Sequence, residues 1–202
     1  AGGGRWCLDC GEEAGDGFPA YEHGDETGFD DCTLFIDHMQ MASPDLPAYL
    51  ILLYEAEGKL ARLLDKPDEA VAWEKKSKTM LDRMLELMWD GEHFRGIDPW
   101  TGEKVMSRNL IHYIPAVLGD RLPSEVLDKL ADDLLVEGKF LTPWGLSMEE
   151  LDSDWFEPSG RSIGRGNIVP PGMLFICAGL LRSRRRDAGR LIADRYCTAL
   201  KD

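Results

Sequence analysis

Between His23 and Phe35 the chain reads His-Gly-Asp-Glu-Thr-Gly-Phe-Asp-Asp-Cys-Thr-Leu-Phe, placing four carboxylates (Asp25, Glu26, Asp30, Asp31) and Gly28 within seven residues. Carboxylates crowded this closely repel one another, so the segment either stays in water or is put to use. Paired carboxyls are also the groups that general acid–base work requires. The plainer alternative is an acidic surface loop. A second chemically rich segment runs through Phe140–Asn167 to Pro171, with Trp, Pro and Gly prominent. Trp144, Trp155 and Phe156 offer flat apolar faces of the kind on which sugar rings stack. Arg165 stands between Gly164 and Gly166, so its backbone can approach a ligand closely. Core packing is the competing role for the Trp residues, and an ion pair with the excess acid for Arg165.

Cysteine chemistry is weaker. Cys7-Leu-Asp-Cys10 is a lone CxxC, and the five Cys (7, 10, 32, 177, 197) are odd in number and scattered, which argues against a disulfide framework. A zinc site would need further ligands, with only His23 and Cys32 nearby, so neither a metal nor another cofactor is expected.

The elements that must position these loops are helical. Ser43-Pro44-Asp45 starts a helix, with Ser or Asp as cap, whose beginning (Tyr49–Leu53) is apolar all round and is expected to be buried on every side. Pro67-Asp68-Glu69 opens a second helix, amphipathic through Ala70, Trp73, Met80, Leu81, Met84, Leu87 and Met88. An extended piece at His93–Arg95 and a turn at Asp98–Gly102 follow. Leu110–Leu118 reads as helical, kinked or ended by Pro115, and Pro123–Leu135 as a clear amphipathic helix. Last come Gly172–Leu181, apolar on all faces, and the amphipathic Asp187–Leu200. Twice an all-apolar helix precedes an amphipathic one, which suits stacked helical hairpins with inner helices buried and outer ones half wet. Residues 1–22 read as a loop-rich N-terminal segment within a single domain. The fold class expected is all-α.

The 202 residues can bury a sizeable core, and 44% hydrophobic with 30% charged residues is an ordinary globular composition. A net charge of −14 repels phosphate backbones and anionic membranes, so neither is an expected partner, whereas neutral hydroxyl-rich substrates are compatible. No 18-residue apolar run and no leader are visible, and together with unpaired cysteines this leans toward a cytoplasmic setting.

Four motifs carry a resemblance. Glu26-Thr-Gly-Phe-Asp30-Asp31 resembles the Glu-Ser-Gly-x-Asp-(Asp/Asn) motif of inverting glycosidases with an (α/α)6 barrel, the group that includes trehalase and processing α-glucosidase I. In the same order, Leu87-Met88-Trp89-Asp90 is similar to the turn ending a helical hairpin of that family. Thr142–Leu146 then matches its Thr-Pro-(Tyr/Trp)-Gly-Leu segment, and Gly164–Val169 matches part of its Arg-Gly segment.

The resemblance implies helical hairpins forming part of an (α/α)6 toroid, an oligosaccharide or glycoside substrate, and Asp30 as general acid. Burial and the charges of Glu26 and Asp31 would raise its pKa. Phe29, Glu26, Asp31, Trp144 and Arg165 would line the substrate site, with Glu26 a hydroxyl ligand or structural acceptor. The sequence departs from the family where Gly164 replaces the Trp before the Arg. The family's general base lies after the helix that follows the Arg-Gly segment, about where this chain reaches Asp202. Glu149, Glu150 and Glu157 are alternatives within the second loop. A base beyond the C-terminus, and a barrel completed by missing sequence or another chain, are therefore expected. The rival classes are a non-catalytic carbohydrate-binding protein and a helical scaffold or interaction protein.

Overall fold

The computed structural model describes residues 18–201 except Met39; the Cys7/Cys10 pair and most of the expected N-terminal segment lie outside them. The expected helices form near the expected boundaries: α1 (Asp45–Leu63), α2 (Pro67–Met88), α3 (Ser124–Leu134), α4 (Pro170–Leu181) and α5 (Arg186–Ala199). Proline at the first turn of α2 and of α4 explains the sharpness of those starts, since a fixed φ and a missing N–H cost nothing there. α1 differs in its cap. Pro44 occupies the N-cap position and no side chain caps it, while Asp45 lies in the first turn, fully buried.

The segment Leu110–Arg121 winds as 3-10 turns rather than as an α-helix, and the break falls at Gly119 (φ 55°, ψ −133°) instead of at Pro115. Every residue from Leu110 to Gly119 is buried, because α1, α3 and α4 all pack on this segment. Its contact with α4 is backbone to backbone. A Cβ at Gly179 would overlap the Ala116 carbonyl oxygen, so glycine sets how closely the two elements approach. Among the described residues three helical hairpins result: α1–α2, the 3-10 segment with α3, and α4–α5.

Two of the helices expected to be inner are not enclosed on every side. Leu53 is 50% exposed, Leu174 64% and Phe175 40%, and the rings of Tyr49 and Phe175 meet at 5.2 Å. α1 and α4 thus share an apolar side that the described residues leave uncovered. The amphipathic helices behave as their patterns require: Ala70, Met84 and Met88 are buried in α2, and Val126, Leu127, Leu130 and Leu134 in α3.

Short hairpins sit at the ends of the helical pairs. β1 (Gly96–Ile97) pairs antiparallel with β2 (Lys104–Val105), and β3 (Leu141–Thr142) with β4 (Gly145–Leu146). The turn between β1 and β2 is closed by Asp98, whose Oδ1 accepts the amides of Trp100 at 2.8 Å and Thr101 at 2.9 Å. No described helix is long and apolar enough to cross a membrane.

Candidate active site

The acid-rich segment folds as two 3-10 turns, Gly24–Thr27 and Thr33–Phe35. The first is held by its own side chains. Glu26 accepts the backbone amide of Glu22 at 2.9 Å, and the Thr27 hydroxyl donates to the Gly24 carbonyl at 2.7 Å. The Glu26 carboxylate thus closes its own turn, and the residue is exposed. Phe29 is buried (5% exposed) beneath Gly172 at the start of α4. Its ring belongs to the core instead of offering a face to a ligand, and that enclosure corrects the expectation of substrate contact. Burying it fixes Asp30 and Asp31 at the surface, where both are exposed. The burial expected around Asp30 is not provided by the described residues.

Asp31 adopts φ 57°, a left-handed conformation that Asp tolerates better than most residues. The carboxylate is thereby aimed at the second loop. Asp31 Oδ1 accepts the Gly164 amide at 2.7 Å, and Oδ2 lies 3.5 Å from Arg165 Nε. That nitrogen is buried and has no hydrogen bond of good geometry. The guanidinium carbon sits 5.8 Å from the centroid of the Trp155 ring, within cation–π range, and Trp155 is 51% exposed. The departure at Gly164 now has a cause: a Cβ there would overlap the Asp30 carbonyl oxygen and lie 2.9 Å from the Cys32 nitrogen. Only glycine lets the two loops touch in this way.

Asp31, Arg165 and Trp155 thus come together across the fold, with the Asp30 carbonyl packed against Gly164. Trp144 stands apart from them, 60% exposed at the turn of the β3–β4 hairpin. The hairpin leans on Met173 and Ile168 through Gly145, close in sequence to Arg165, but no contact joins Trp144 to the Asp31–Arg165–Trp155 group.

None of the three alternative bases is placed for that work. Glu149 is fully buried and accepts hydrogen bonds from Thr33, Asn109 and Ser153. Burial pushes its carboxyl up, against the pull of those donors. Glu150 is tied to Arg108 at 2.6 Å and faces Lys139 at 3.8 Å. Glu157 turns its carboxylate back to Ser159, whose hydroxyl first and amide (2.8 Å) second hold it below the usual range.

A network that sequence reasoning missed lies behind the exposed group. Asn109 Nδ2 donates to Glu149 at 3.1 Å and to the Gly164 carbonyl at 2.6 Å, and the Thr33 hydroxyl donates to Glu149 at 2.8 Å. Neither Thr33 nor Asn109 stands in a recognisable motif.

The same helical architecture occurs in solved glycosidases. A chain described as a sialidase superposes with a TM-score of 0.73 at 16% identity, over 88% of this chain and 18% of that one. A GH63 mannosylglycerate hydrolase from Thermus thermophilus, solved in complex with glucose, gives 0.66 at 18% identity, over 89% and 52%. Neutral trehalase from Saccharomyces cerevisiae gives 0.54 at 16% identity, over 84% and 33%. The chain therefore spans between about a fifth and a half of these relatives, and at such identities the likeness establishes the fold: all-α, helical hairpins forming part of an (α/α)6 toroid. No curated protein sequence matches the chain. A family profile described as "Mannosylglycerate hydrolase MGH1-like glycoside hydrolase domain" matches residues 6–202, nearly the whole chain, and the chain belongs to that glycoside hydrolase family.

Proposed function

We propose that this chain is the acid-bearing part of an exo-acting, inverting α-glycosidase, α-glucosidase-like in its preference, with Asp30 as the general acid. One observation carries the reading. The Asp31–Gly164 hydrogen bond sets the Asp30 backbone against the residue preceding Arg165, which brings the acid motif beside a cation and an aromatic face. Asp30 would protonate the departing glycosidic oxygen, Trp155 would support a sugar ring, and Arg165 would donate to its hydroxyls while Asp31 fixes the guanidinium. Inversion needs a second carboxyl about 6.5–9.5 Å from the first, with a water between. Glu149, Glu150 and Glu157 are engaged elsewhere, so this reading assigns the base to residues outside 18–201, in the same polypeptide or a partner. Further hairpins from that source would cover the apolar side of α1 and α4 and enclose Asp30.

The family description and the Thermus relative bring in mannosylglycerate as a second candidate substrate, and Arg165 could meet its carboxylate. Hydrolysis of 4-nitrophenyl α-D-glucopyranoside and of mannosylglycerate, with the product anomer followed by NMR, tests the reading. Asp30→Asn should lower kcat by a factor of about 100 or more; hydrolysis retained in that variant defeats the assignment. The engagement of Glu149, Glu150 and Glu157 in other contacts favours one other reading, a carbohydrate-binding domain without turnover. Glucose binding with no hydrolysis of either substrate would select it.

A further inference from the structure

Glu149 is wholly enclosed, and the chemistry above gives it no task. Its two oxygens gather donors from three separate segments. Oε2 accepts from the Thr33 hydroxyl at 2.8 Å and from Asn109 Nδ2 at 3.1 Å, and Oε1 from the Ser153 hydroxyl at 2.7 Å. Each donor leads to the exposed patch. Thr33 is three residues beyond Asp30 on the same loop. Ser153 accepts the Trp155 amide at 3.2 Å, two residues before the ring that faces Arg165. Asn109 reaches farthest: its Oδ1 accepts the Ile111 amide at 3.1 Å, anchoring it to the 3-10 segment, while Nδ2 also donates to the Gly164 carbonyl at 2.6 Å.

The other polar group of Gly164, its amide, donates to Asp31. The bonds therefore close into a circuit: Glu149 to Thr33, along the chain to Asp31, across to Gly164, through Asn109 and back to Glu149. The peptide that precedes Arg165 is gripped on both edges, once by the acid loop directly and once through the buried carboxylate.

We propose that Glu149 is a positioning residue of the candidate active site, setting Arg165 and Trp155 relative to Asp30 by anchoring Thr33, Asn109 and Ser153 at once. The inference rests on the glycosidase reading for what the positioned groups do, but not for the fact of positioning. A purely space-filling role fits poorly, because enclosing a carboxylate carries a desolvation penalty that an apolar side chain of the same volume would not. What the carboxylate adds is two acceptor oxygens that hold three donors in one geometry.

Residue-resolved amide exchange by NMR on the full chain tests this. In Glu149→Ala the Gly164 and Trp155 amides should exchange at least about tenfold faster, while amides of α1 and α2 keep their wild-type rates. Glu149→Gln, which keeps an acceptor for Asn109 and Thr33 and can donate to the Ser153 hydroxyl, should restore protection to within about threefold. Unchanged protection of Gly164 in a folded Glu149→Ala, or an acceleration shared equally by α1 and α2, overturns the proposal. Should Glu149→Ala fail to fold, Thr33→Val removes a single donor and must still speed exchange at Gly164; no change there overturns the proposal as well. Parallel assays with 4-nitrophenyl α-D-glucopyranoside separate the two claims. A parent chain that hydrolyses it, with kcat untouched by Glu149→Ala or Thr33→Val, counts against positioning alone. A parent that does not hydrolyse either candidate substrate, with Gly164 loosened in the variants, supports positioning and counts against the glycosidase reading.

Discussion

The carboxylate of Asp31 accepts the backbone amide of Gly164 at 2.7 Å across a separation of 133 residues. This bond joins the start of the described chain to the loop that leads into α4, and the same carboxylate holds the Arg165 guanidinium beside Trp155. Two functions are thus loaded on one side chain: closing the fold and aiming a cation.

Those functions separate under substitution. Asp31→Asn keeps an acceptor for Gly164 and tolerates the left-handed backbone, but loses the charge facing Arg165. Its melting temperature should stay near wild type while glycosidase activity falls. Asp31→Ala loses both contacts and should cost roughly 1–2 kcal/mol besides, about 2–8 °C in melting temperature for a chain of this size. Calorimetry beside the hydrolysis assay reads both, and equal losses in the two variants would contradict the division of labour.

Gly179 offers a test of the fold itself. A Cβ there would meet the Ala116 carbonyl oxygen and the Val117 backbone, neither of which can move aside without shifting the buried 3-10 segment. Gly179→Ala should destabilise by roughly 2–3 kcal/mol, in spite of alanine's better helix propensity. Urea denaturation measures it, and a stabilised variant would mean that α4 and the 3-10 segment do not touch in this way.

Helix positions were legible because proline and acid at Pro67-Asp68-Glu69 and the period of Val126–Leu134 speak locally. The break at Gly119 was not, because proline is the stronger local signal while close packing on α4 selects a 3-10 path and puts the bend elsewhere. At the site, the resemblance singles out the segments that carry Asp30 and Arg165. Their meeting, however, depends on Asp31 in a left-handed conformation and on a missing side chain at Gly164. Phe29 looked like a ligand-facing aromatic from its place in the acid motif, and only the proximity of Gly172 reveals it as core. Glu149 drew notice as an acid in a Trp-rich loop, but its donors Thr33 and Asn109 are distant in sequence and ordinary in type, so its role could not be anticipated.

The turn between α4 and α5 should respond to loss of a single guanidinium. Arg185, whose side chain is 15% exposed, donates to the Asp128 carbonyl at 2.9 Å and to the Asp132 carboxylate at 2.6 Å, pinning α5 to α3. Both carboxylates are largely in water, so the charge contribution is small and screened by salt. The carbonyl contact and the packed stem remain. Arg185→Ala should therefore cost roughly 1–2 kcal/mol, most of it persisting at 1 M NaCl, and Arg185→Lys should not recover it because an ammonium cannot span two partners as the planar fork does. Melting curves of the three proteins at low and high salt provide the check.

Two buried groups should shape the acid side of the stability curve in opposite senses. His112, 1% exposed, sits 2.9 Å from the Phe94 carbonyl through Nδ1 and accepts the Ser107 amide at 3.1 Å through Nε2. That pairing requires the neutral ring with its hydrogen on Nδ1, and burial pushes the imidazole down to about 3. The unfolded chain takes up this proton near pH 6.5 and the folded chain does not, so stability falls as pH drops from about 6.5 toward 3, by up to about 1.4 kcal/mol per pH unit. Asp45 does the reverse. It is fully buried, receives one hydrogen bond from Tyr21 at 3.0 Å, and burial raises its carboxyl to about 6. Here the folded chain takes the proton first, so stability rises as pH falls from about 6 to the unfolded value near 4. Over that window the two effects offset each other, and below it the loss from His112 continues. It is reinforced there by Asp90, which, against the upward push of desolvation, the His93 and Glu92 amides and Arg95 hold down at about 2. Measured relative to wild type, Asp45→Asn should be progressively less stable as pH falls from 6 to 4, and His112→Gln progressively more stable as pH falls from 6.5. Melting temperatures of the three proteins between pH 3.5 and 8 decide it. Parallel curves for wild type and His112→Gln would show that the imidazole is not held neutral in the folded chain.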